Sequence, residues 1–522
     1  MARKASEKTR TGCVTCKKRR VKCDEARPVC KRCHVGDRSC AYLDPPVGWY
    51  SWQHLLQATS PPPPPVTLAT PISSTTRLAP REVRNLDYFR CVVAPALGGQ
   101  LGDDFWTSPV LQLAMSEPAA MHGIQAISLL YEGFRPAWER HDSSVIREEE
   151  AAALGHYNHA LRLVAAASRS SNNSSSKMQD FVVLVASVLF VCIEFLRGNT
   201  EAAITHCRHG TLVARSGRSQ GRDSGTEAVV AVLQHLGIFP HFFSSGEFPC
   251  LSATYKQETR FESSAAAAIA MDQLMACAVR LVRCLDAYRL GADDMEVPEE
   301  ARLMQQAQLG DFEVWRTAFE ALTGAKRDSE ADAGADADAR RALLLMRFYV
   351  GWVWTSIALH REETFCDRFF AEFSEIVKLS KQTTTRVASR PKFTFSMGTA
   401  PLLHFVVIKC RHLPTRLEAL GGLRELVGVR ESLWDAETMY VIGKCIIEHE
   451  HGILVDDHTR VTPAMRSGEW ELPGDESRIR DSYVEDGVFE HVDERGNMVL
   501  RRRIHLIYRK GGAVVDEVGW IS

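Results

Sequence analysis

Features that would point to a secreted protein or to an enzyme are missing from this sequence of 522 residues. No apolar stretch follows Met1, so we expect no secretory signal and no framework of disulfides. No Gly-x-Ser-x-Gly elbow and no Walker sequence occurs, and the His-x-Glu triplet at 360–362 has no Cys-x-x-Cys nearby. His449-Glu450-His451 spaces its histidines at i and i+2, which is wrong for a zinc protease and is interpreted as a polar helix end. The sequence therefore predicts a protein that is not an enzyme.

Six cysteines in the first forty residues follow a repeated spacing, in which each cysteine of the second half lies 17 residues after its counterpart. Thiolates are soft ligands that suit Zn²⁺, and structural zinc takes four ligands in a tetrahedron. Six sulfurs fill two such shells only if two of them bridge the metals. This arithmetic predicts a binuclear cluster with two Zn²⁺ per chain, in which Cys13 and Cys30 are shared. The predicted ligands are Cys13, Cys16, Cys23, Cys30, Cys33 and Cys40. The other nine cysteines are expected to be mostly reduced core residues.

Positive charge is concentrated around these cysteines. Residues 1–40 hold 13 Lys or Arg and 4 Asp or Glu, whereas the rest of the chain holds 50 Lys or Arg and 61 Asp or Glu. The net charge of the whole chain is −2, but its N-terminal part is basic and the remainder is acidic. A solvated face or a nuclear-import signal would explain a basic run by itself. Fixed against a metal cluster, however, the run is typical of a nucleic-acid binder that reaches guanine O6 and N7 in the major groove. The candidate DNA contacts are Arg10, Lys17, Lys18, Arg19, Arg20 and Lys22.

Beyond the predicted DNA-binding module at 1–43, the chain is expected to form a linker and a large domain. Residues 44–80 are rich in proline, which excludes a continuous coiled coil directly after the cysteines. Residues 81–455 show helical spacing of apolar residues. Their apolar stretch at 181–196 is too short for a membrane span, so we expect a buried helix and no membrane partner. Residues 456–522 change to a strand-like pattern with β-hairpin character and are expected to pack on the helices. The predicted fold class is a small zinc module followed by a mainly all-α domain with a short β-like C-terminal segment.

The segment that contains the regularly spaced cysteines also resembles a known protein family. Residues 11–25, with Pro28 and Arg32, resemble the fungal Zn2Cys6 binuclear-cluster transcription factors. In that family the first four cysteines bind one zinc, and the fourth, fifth, sixth and first bind the other. The family reads a CGG triplet with a lysine four residues after the second cysteine, where this chain has Arg20. Pieces of the later sequence are similar to the second type of fungal-specific transcription-factor domain, which is helical. They include 86–89, 104–106, 116–118, 157–161 and 190–206.

The resemblance implies a function for the whole chain. It implies a nuclear, zinc-dependent regulator of RNA polymerase II genes that binds double-stranded DNA with a CGG-like half-site and contacts the transcription machinery. Activation of a fungal secondary-metabolism gene cluster and a homodimer through the helical domain are expected. The alternatives are a transcriptional repressor, or a ligand-sensing or protein-docking regulator whose zinc module mediates protein contacts.

Overall fold

The structure is a computed structural model in which two compact units are distinguished, Met1–Gly48 and Trp49–Ser522, called here the head and the body. The described residues are 15–16, 19, 21, 23–24, 30–36, 38, 40, 78–99, 105–134, 148–170, 177–216, 224–238, 257–290, 296–297, 299–327, 335–383, 390–456, 470–485, 487–492 and 498–521. Of the predicted linker, residues 44–77 lie outside this set, and Pro80 already begins a helix.

In the head, two short helical segments hold the cysteines. The backbone N–H of Arg19 donates to the carbonyl of Thr15 at 3.2 Å, which forms a turn around Cys16. Helix α1 (Lys31–Val35) begins after Cys30, whose sulfur caps the helix by accepting from the backbone N–H of Cys33. Each half of the head thus places a cysteine at a helical turn.

The body is built mainly from helices, several of which begin with proline in the first turn, where its missing N–H costs no hydrogen bond. The described α-helices are α2 (Pro80–Tyr88), α3 (Ala94–Gly98), α4 (Pro109–Ala114), α5 (Pro118–Glu132), α6 (Glu148–Ser170), α7 (Lys177–Arg197), α8 (Thr200–Ser216), α9 (Ser224–Leu236), α10 (Ser264–Cys284), α11 (Asp286–Leu290), α12 (Glu299–Arg327), α13 (Ala335–Ile357), α14 (Phe370–Thr383), α15 (Ala400–Lys409), α16 (Leu413–Arg424) and α17 (Ala436–His451). A π-helical turn (Phe89–Val93) joins α2 to α3, and 3₁₀ turns cover Glu363–Phe369 and Asp475–Ser477.

The helix predicted over 181–196 is found as α7, which packs against α5 and α8 in the middle of the core. By length and composition, Met178–Arg197 and Ser264–Cys284 would be long and apolar enough to cross a membrane, but 72% and 61% of their apolar windows are buried inside the protein. The carboxylate of Glu194 in α7 is paired with Arg197 at 2.7 Å. These helices therefore have the surroundings of core helices.

Two small sheets complete the body. Strands β1 (Phe393–Thr394), β2 (Arg430–Glu431) and β3 (Trp434–Asp435) pair in that order. The strand-like C-terminal segment is confirmed as an antiparallel sheet of β4 (Asp481–Val484), β5 (Phe489–Val492), β6 (Met498–Lys510) and β7 (Ala513–Ile521). β6 pairs with β7 through a tight turn at Gly511 and Gly512, both at positive φ, where glycine is favoured.

The C-terminal sheet is attached to helix α17 by a cluster of apolar side chains. Ile442 and Ile446 of the helix are buried against Val484, Ile504 and Leu506 of the strands. Alternate residues of a strand face the same side of the sheet, so β4 and β6 turn one apolar face towards the helix. This packing joins the sheet to the helical part of the body.

Candidate zinc cluster and nucleic-acid interface

Five of the six predicted zinc ligands are described, and their sulfurs form two groups. The Sγ atoms of Cys16, Cys23 and Cys30 lie within 4.8 Å of one another, and so do those of Cys30, Cys33 and Cys40. Cys13, the sixth predicted ligand, lies outside the described residues. Cys30 is common to both groups.

The separation of the sulfurs suits tetrahedral zinc. With Zn–S bonds of about 2.3 Å, two ligands of one tetrahedron lie about 3.8 Å apart. The Sγ atoms of Cys16 and Cys30 are 3.7 Å apart. Cys16, Cys30 and Cys33 are fully buried and Cys23 nearly so, so their side chains face each other rather than solvent. A closely spaced, all-sulfur donor set favours a soft or borderline metal such as zinc over calcium or magnesium.

One backbone N–H group and the neighbouring cysteines support the thiolate form of the central cysteine. Burial opposes ionisation of Cys30, but donors from the backbone and thiol of Cys33 and from the Cys16 thiol outweigh it, so the pKa of Cys30 lies below its usual value. In the body the situation is reversed, because burial raises the pKa of both Cys207 and Cys366 to about 12. These thiols stay protonated and are poor metal ligands.

One carboxylate connects the two halves of the head. Oδ2 of Asp24 accepts a hydrogen bond from the backbone N–H of Lys31 at 3.1 Å, and this bond holds the pKa of Asp24 below its usual value. Asp24 follows the third cysteine and Lys31 opens α1. The contact therefore joins the two halves independently of the sulfurs.

Basic side chains are exposed in both halves of the head. Arg19 is exposed on the turn after Cys16, as expected for a candidate DNA contact. Lys31, Arg32 and Arg38 are also exposed. Sequence reasoning did not include these three among the candidate DNA contacts, because all of its candidates lie around the first three cysteines. The signal that it passed over is the basic residues close to Cys30, Cys33 and Cys40. Five other candidate contacts lie outside the described residues: Arg10, Lys17, Lys18, Arg20 and Lys22.

The triplet His449-Glu450-His451 does end helix α17, but Glu450 is not a solvated end residue. Its side chain is fully buried, and its two carboxylate oxygens accept from Arg411 at 3.0 Å and from Arg416 at 2.6 Å. One of them also accepts the backbone N–H of Ile479 at 2.6 Å. Glu450 is therefore a structural ion-pair centre between α17 and the segment that leads into β4.

Comparison with known proteins matches a family model to each of two regions of the chain. The description "Fungal Zn(2)-Cys(6) binuclear cluster domain" matches residues 11–50, and "Fungal specific transcription factor domain" matches residues 85–287. Together the two matches cover somewhat less than half of the chain. Both regions are thus similar to domains of fungal zinc-cluster transcription factors.

Curated relatives agree with this similarity. The aspercryptin biosynthesis cluster-specific transcription regulator atnN of Emericella nidulans is 28% identical over 229 residues, which is 41% of this chain and 36% of that protein. The Zn(2)-C6 fungal-type transcription factor afumD of Aspergillus fumigatus is 33% identical over 136 residues, 25% of this chain and 34% of that protein. Sterol uptake control protein 2 of Candida albicans is 58% identical over 45 residues, 9% of this chain and 6% of that protein.

These matches are partial. The matched region spans about a third of the length of each of the first two relatives. No solved structure matches the chain.

Proposed function

We propose that this protein is a nuclear, sequence-specific regulator of RNA polymerase II genes whose head holds two Zn²⁺ in a bridged cluster. The observation that carries the proposal is the pair of sulfur groups that share Cys30. Three sulfurs per group leave each tetrahedron one ligand short, and Cys13 is assigned as the second bridge. The first zinc is assigned to Cys13, Cys16, Cys23 and Cys30, and the second to Cys30, Cys33, Cys40 and Cys13.

Zinc bound there has a structural role, because it supplies folding free energy to a unit whose buried core, among the described residues, consists of cysteines. Side chains of the basic run then contact the bases. Cys16 sits in the turn that Arg19 closes, so metal binding fixes the start of the basic run. We assign base reading in the major groove to Arg20, helped by Lys18 and Arg19.

The remaining basic residues are assigned to the DNA backbone. Arg10, Lys17 and Lys22 belong to the basic run, and the exposed Lys31, Arg32 and Arg38 extend positive charge to the second half. Contacts with phosphates set affinity and salt dependence, whereas contacts with base edges set sequence preference. We therefore expect a site that contains a CGG-like triplet.

The test is selection of binding sites from random duplex DNA by the full chain, with zinc and after chelation. We expect GC-rich sites with a CGG-like triplet, lost on chelation and weakened by salt. A protein that keeps its zinc and shows no salt-dependent affinity for DNA would contradict this function and favour a zinc head that mediates protein contacts.

For the body, we propose the regulatory part of an activator of a secondary-metabolism gene cluster. Support comes from the E. nidulans relative, whose name assigns it to the aspercryptin biosynthesis cluster. Residues 81–455 are assigned as the helical regulatory domain that dimerises and contacts the transcription machinery, and 456–522 as its C-terminal β segment. Fusion of 81–522 to an unrelated DNA-binding domain is expected to drive a reporter gene. If the fusion silences the reporter under every growth condition, the protein is a repressor and not an activator. The proposal that it binds DNA would not be affected.

A further inference from the structure

A cavity lies inside the body between α10, α13, α15, α17 and β4. The cavity has a volume of about 90 Å³. One water needs only about 10–15 Å³ of such volume. The cavity therefore has room for a small organic molecule.

Most of the cavity wall is apolar and aromatic. Trp354 of α13, Phe405 of α15 and Trp434 of β3 contribute rings, and Met275 and Met439 contribute flexible thioether side chains. Aromatic faces and methionine suit a flat, largely apolar ligand, and the flexible methionines tolerate variation in its outline. A mostly apolar wall with a few polar groups is typical of a small-molecule site.

One of those polar groups is His404 of α15. Its side chain lines the cavity, the residue is 8% exposed, and Nδ1 has no hydrogen-bond partner among the residues that the structure describes. Burial lowers the pKa of His404 to about 4, so the ring is neutral at physiological pH. A neutral imidazole has one nitrogen that accepts a hydrogen bond. A buried polar nitrogen without a partner costs free energy, and a donor on a ligand would remove that cost.

The other polar groups lie where β4 begins, and they leave little net charge for a ligand to neutralise. Arg480 is already bound to Asp475 at 2.6 Å and to the carbonyl of Arg361. Asp481 keeps some accessible surface, but enough protein surrounds its carboxyl that burial raises its pKa to about 8. Asp481 is therefore mostly protonated at neutral pH, so neither Arg480 nor Asp481 offers an unpaired charge to an ionic ligand.

We propose that this cavity binds a neutral, flat and largely apolar small molecule whose hydroxyl group donates a hydrogen bond to His404. Because α17 and β4 both line the cavity, a bound molecule would contact the helix and the C-terminal sheet at once. Such a molecule would be an effector of the regulator. That role rests on the proposed function, whereas binding itself needs neither zinc nor DNA.

The test uses 2-naphthol as a neutral aromatic alcohol and naphthalene as its matched control without the hydroxyl. Equilibrium dialysis against the full chain is expected to show 2-naphthol binding at one site, about fivefold more tightly than naphthalene, which is the factor expected for one neutral hydrogen bond. His404→Phe keeps an aromatic ring and removes the acceptor. In that variant the difference between the two probes should disappear while naphthalene binding is retained.

A second pair of variants keeps the test valid if His404→Phe does not fold. Ile408→Trp places a larger side chain in the cavity wall and should abolish binding of both probes. Ile269→Trp makes the same change at an exposed position of α10 and should leave binding unchanged. Circular dichroism checks that each variant is folded. No saturable binding by the wild-type chain, or binding that Ile408→Trp leaves unchanged, would overturn the proposal, whatever the outcome for DNA binding.

Discussion

The head and the body bury different kinds of residue. The buried core of the head consists of Cys16, Cys23, Cys30 and Cys33, with Val21 packed against it among the described residues. The body instead buries large apolar side chains such as Trp106, Trp315 and Trp434. The four cysteines that form the core among the described residues of the head contribute little apolar surface to offset the entropy of ordering a chain, and a metal bound by their sulfurs would add folding free energy.

Charge is also used differently in the two units. In the head, the described Lys31, Arg32 and Arg38 are exposed, where they are available to a polyanion. In the body, Arg411 and Arg416 are fully buried and paired with Glu450. The exposed charges of the head are open to a partner, whereas the buried charges of the body hold elements together. A variant that removes a zinc ligand or an exposed charge should therefore affect the head alone, and one that removes a buried ion pair should affect the body alone.

The largest effect is expected from Cys30→Ala, because Cys30 is assigned to both metals. The variant should lose both zinc ions and all specific DNA binding, since structural zinc contributes about 10–16 kcal/mol of apparent binding free energy. The unfolding temperature of the body should not change. Elemental analysis and calorimetry measure the two quantities. Cys91→Ala, at an exposed cysteine of the body, is the matched control and should keep two zinc ions. One zinc retained in Cys30→Ala would contradict the bridge.

The converse variant, Glu450→Ala, should damage the body and spare the head. It leaves Arg411 and Arg416 buried without their carboxylate, which typically costs about 3–5 kcal/mol. Denaturant unfolding of the body measures the loss, and zinc content should remain at two. Glu375→Ala, which breaks an exposed pair with Lys378, should cost at most about 1 kcal/mol. If Glu450→Ala and Glu375→Ala lower the free energy of unfolding equally, the buried ion pairs of Glu450 stabilise the body no more than an exposed pair does.

Acid should weaken the body through the same kind of contact. Burial of Glu363 opposes its ionisation, but Lys409 and Arg411 outweigh it and lower its pKa to about 2. A carboxyl whose pKa is lower in the folded state stabilises the fold fully above its usual value of about 4.5, and that stabilisation is lost as pH falls towards 2. We therefore expect the unfolding temperature of the body to fall below about pH 4.5, and to fall less steeply in Glu363→Gln, which starts from a lower stability. If the unfolding temperature falls with pH as steeply in Glu363→Gln as in the wild-type chain, the Glu363 carboxyl does not contribute to the loss of stability in acid.

How much the sequence predicts differs between the two units. In the body, the apolar stretch at 181–196 predicts a helix that the structure shows as α7. The partners of Glu450 could not be predicted, because Arg411 lies 39 residues away and no local pattern links the two. Nor does any spacing mark His404 as a cavity residue. Local periodicity predicts elements, whereas pairings between distant elements depend on packing that only the fold determines.

In the head the reverse holds, because ligand number and tetrahedral geometry restrict the answer before any packing is known. The arithmetic of six sulfurs predicts shared ligands, and Cys30 lies in both described sulfur groups. Sequence reasoning did not predict the contact of Asp24 with the start of α1. A side-chain bond to a backbone N–H depends on where a helix begins, and no periodicity marks a five-residue helix such as α1.

A smaller effect, confined to the head, is expected from Arg20→Ala. If Arg20 reads a guanine, its loss should cost about 1–3 kcal/mol of binding free energy and relax the preference at one base pair. Arg20→Lys should restore part of the affinity, since lysine also reaches the O6 and N7 acceptors. Binding to a panel of sites with single base changes measures both quantities. An unchanged preferred site in Arg20→Ala would assign the reading to another residue, and Lys18 and Arg19 would be the next to test.

The smallest expected effect concerns the exposed charges of the second half. If Lys31, Arg32 and Arg38 contact phosphates, changing any one of them to Gln should weaken binding to specific and random DNA by the same factor. The slope of log affinity against log salt should fall by about 1 per residue, because each neutralised phosphate releases close to one counterion. Lys378→Gln, at an exposed lysine of the body, is the control and should leave the slope unchanged. A change of base preference in Arg32→Gln would mean that the second half reads sequence as well. The assignment of Arg32 to the DNA backbone would then be wrong.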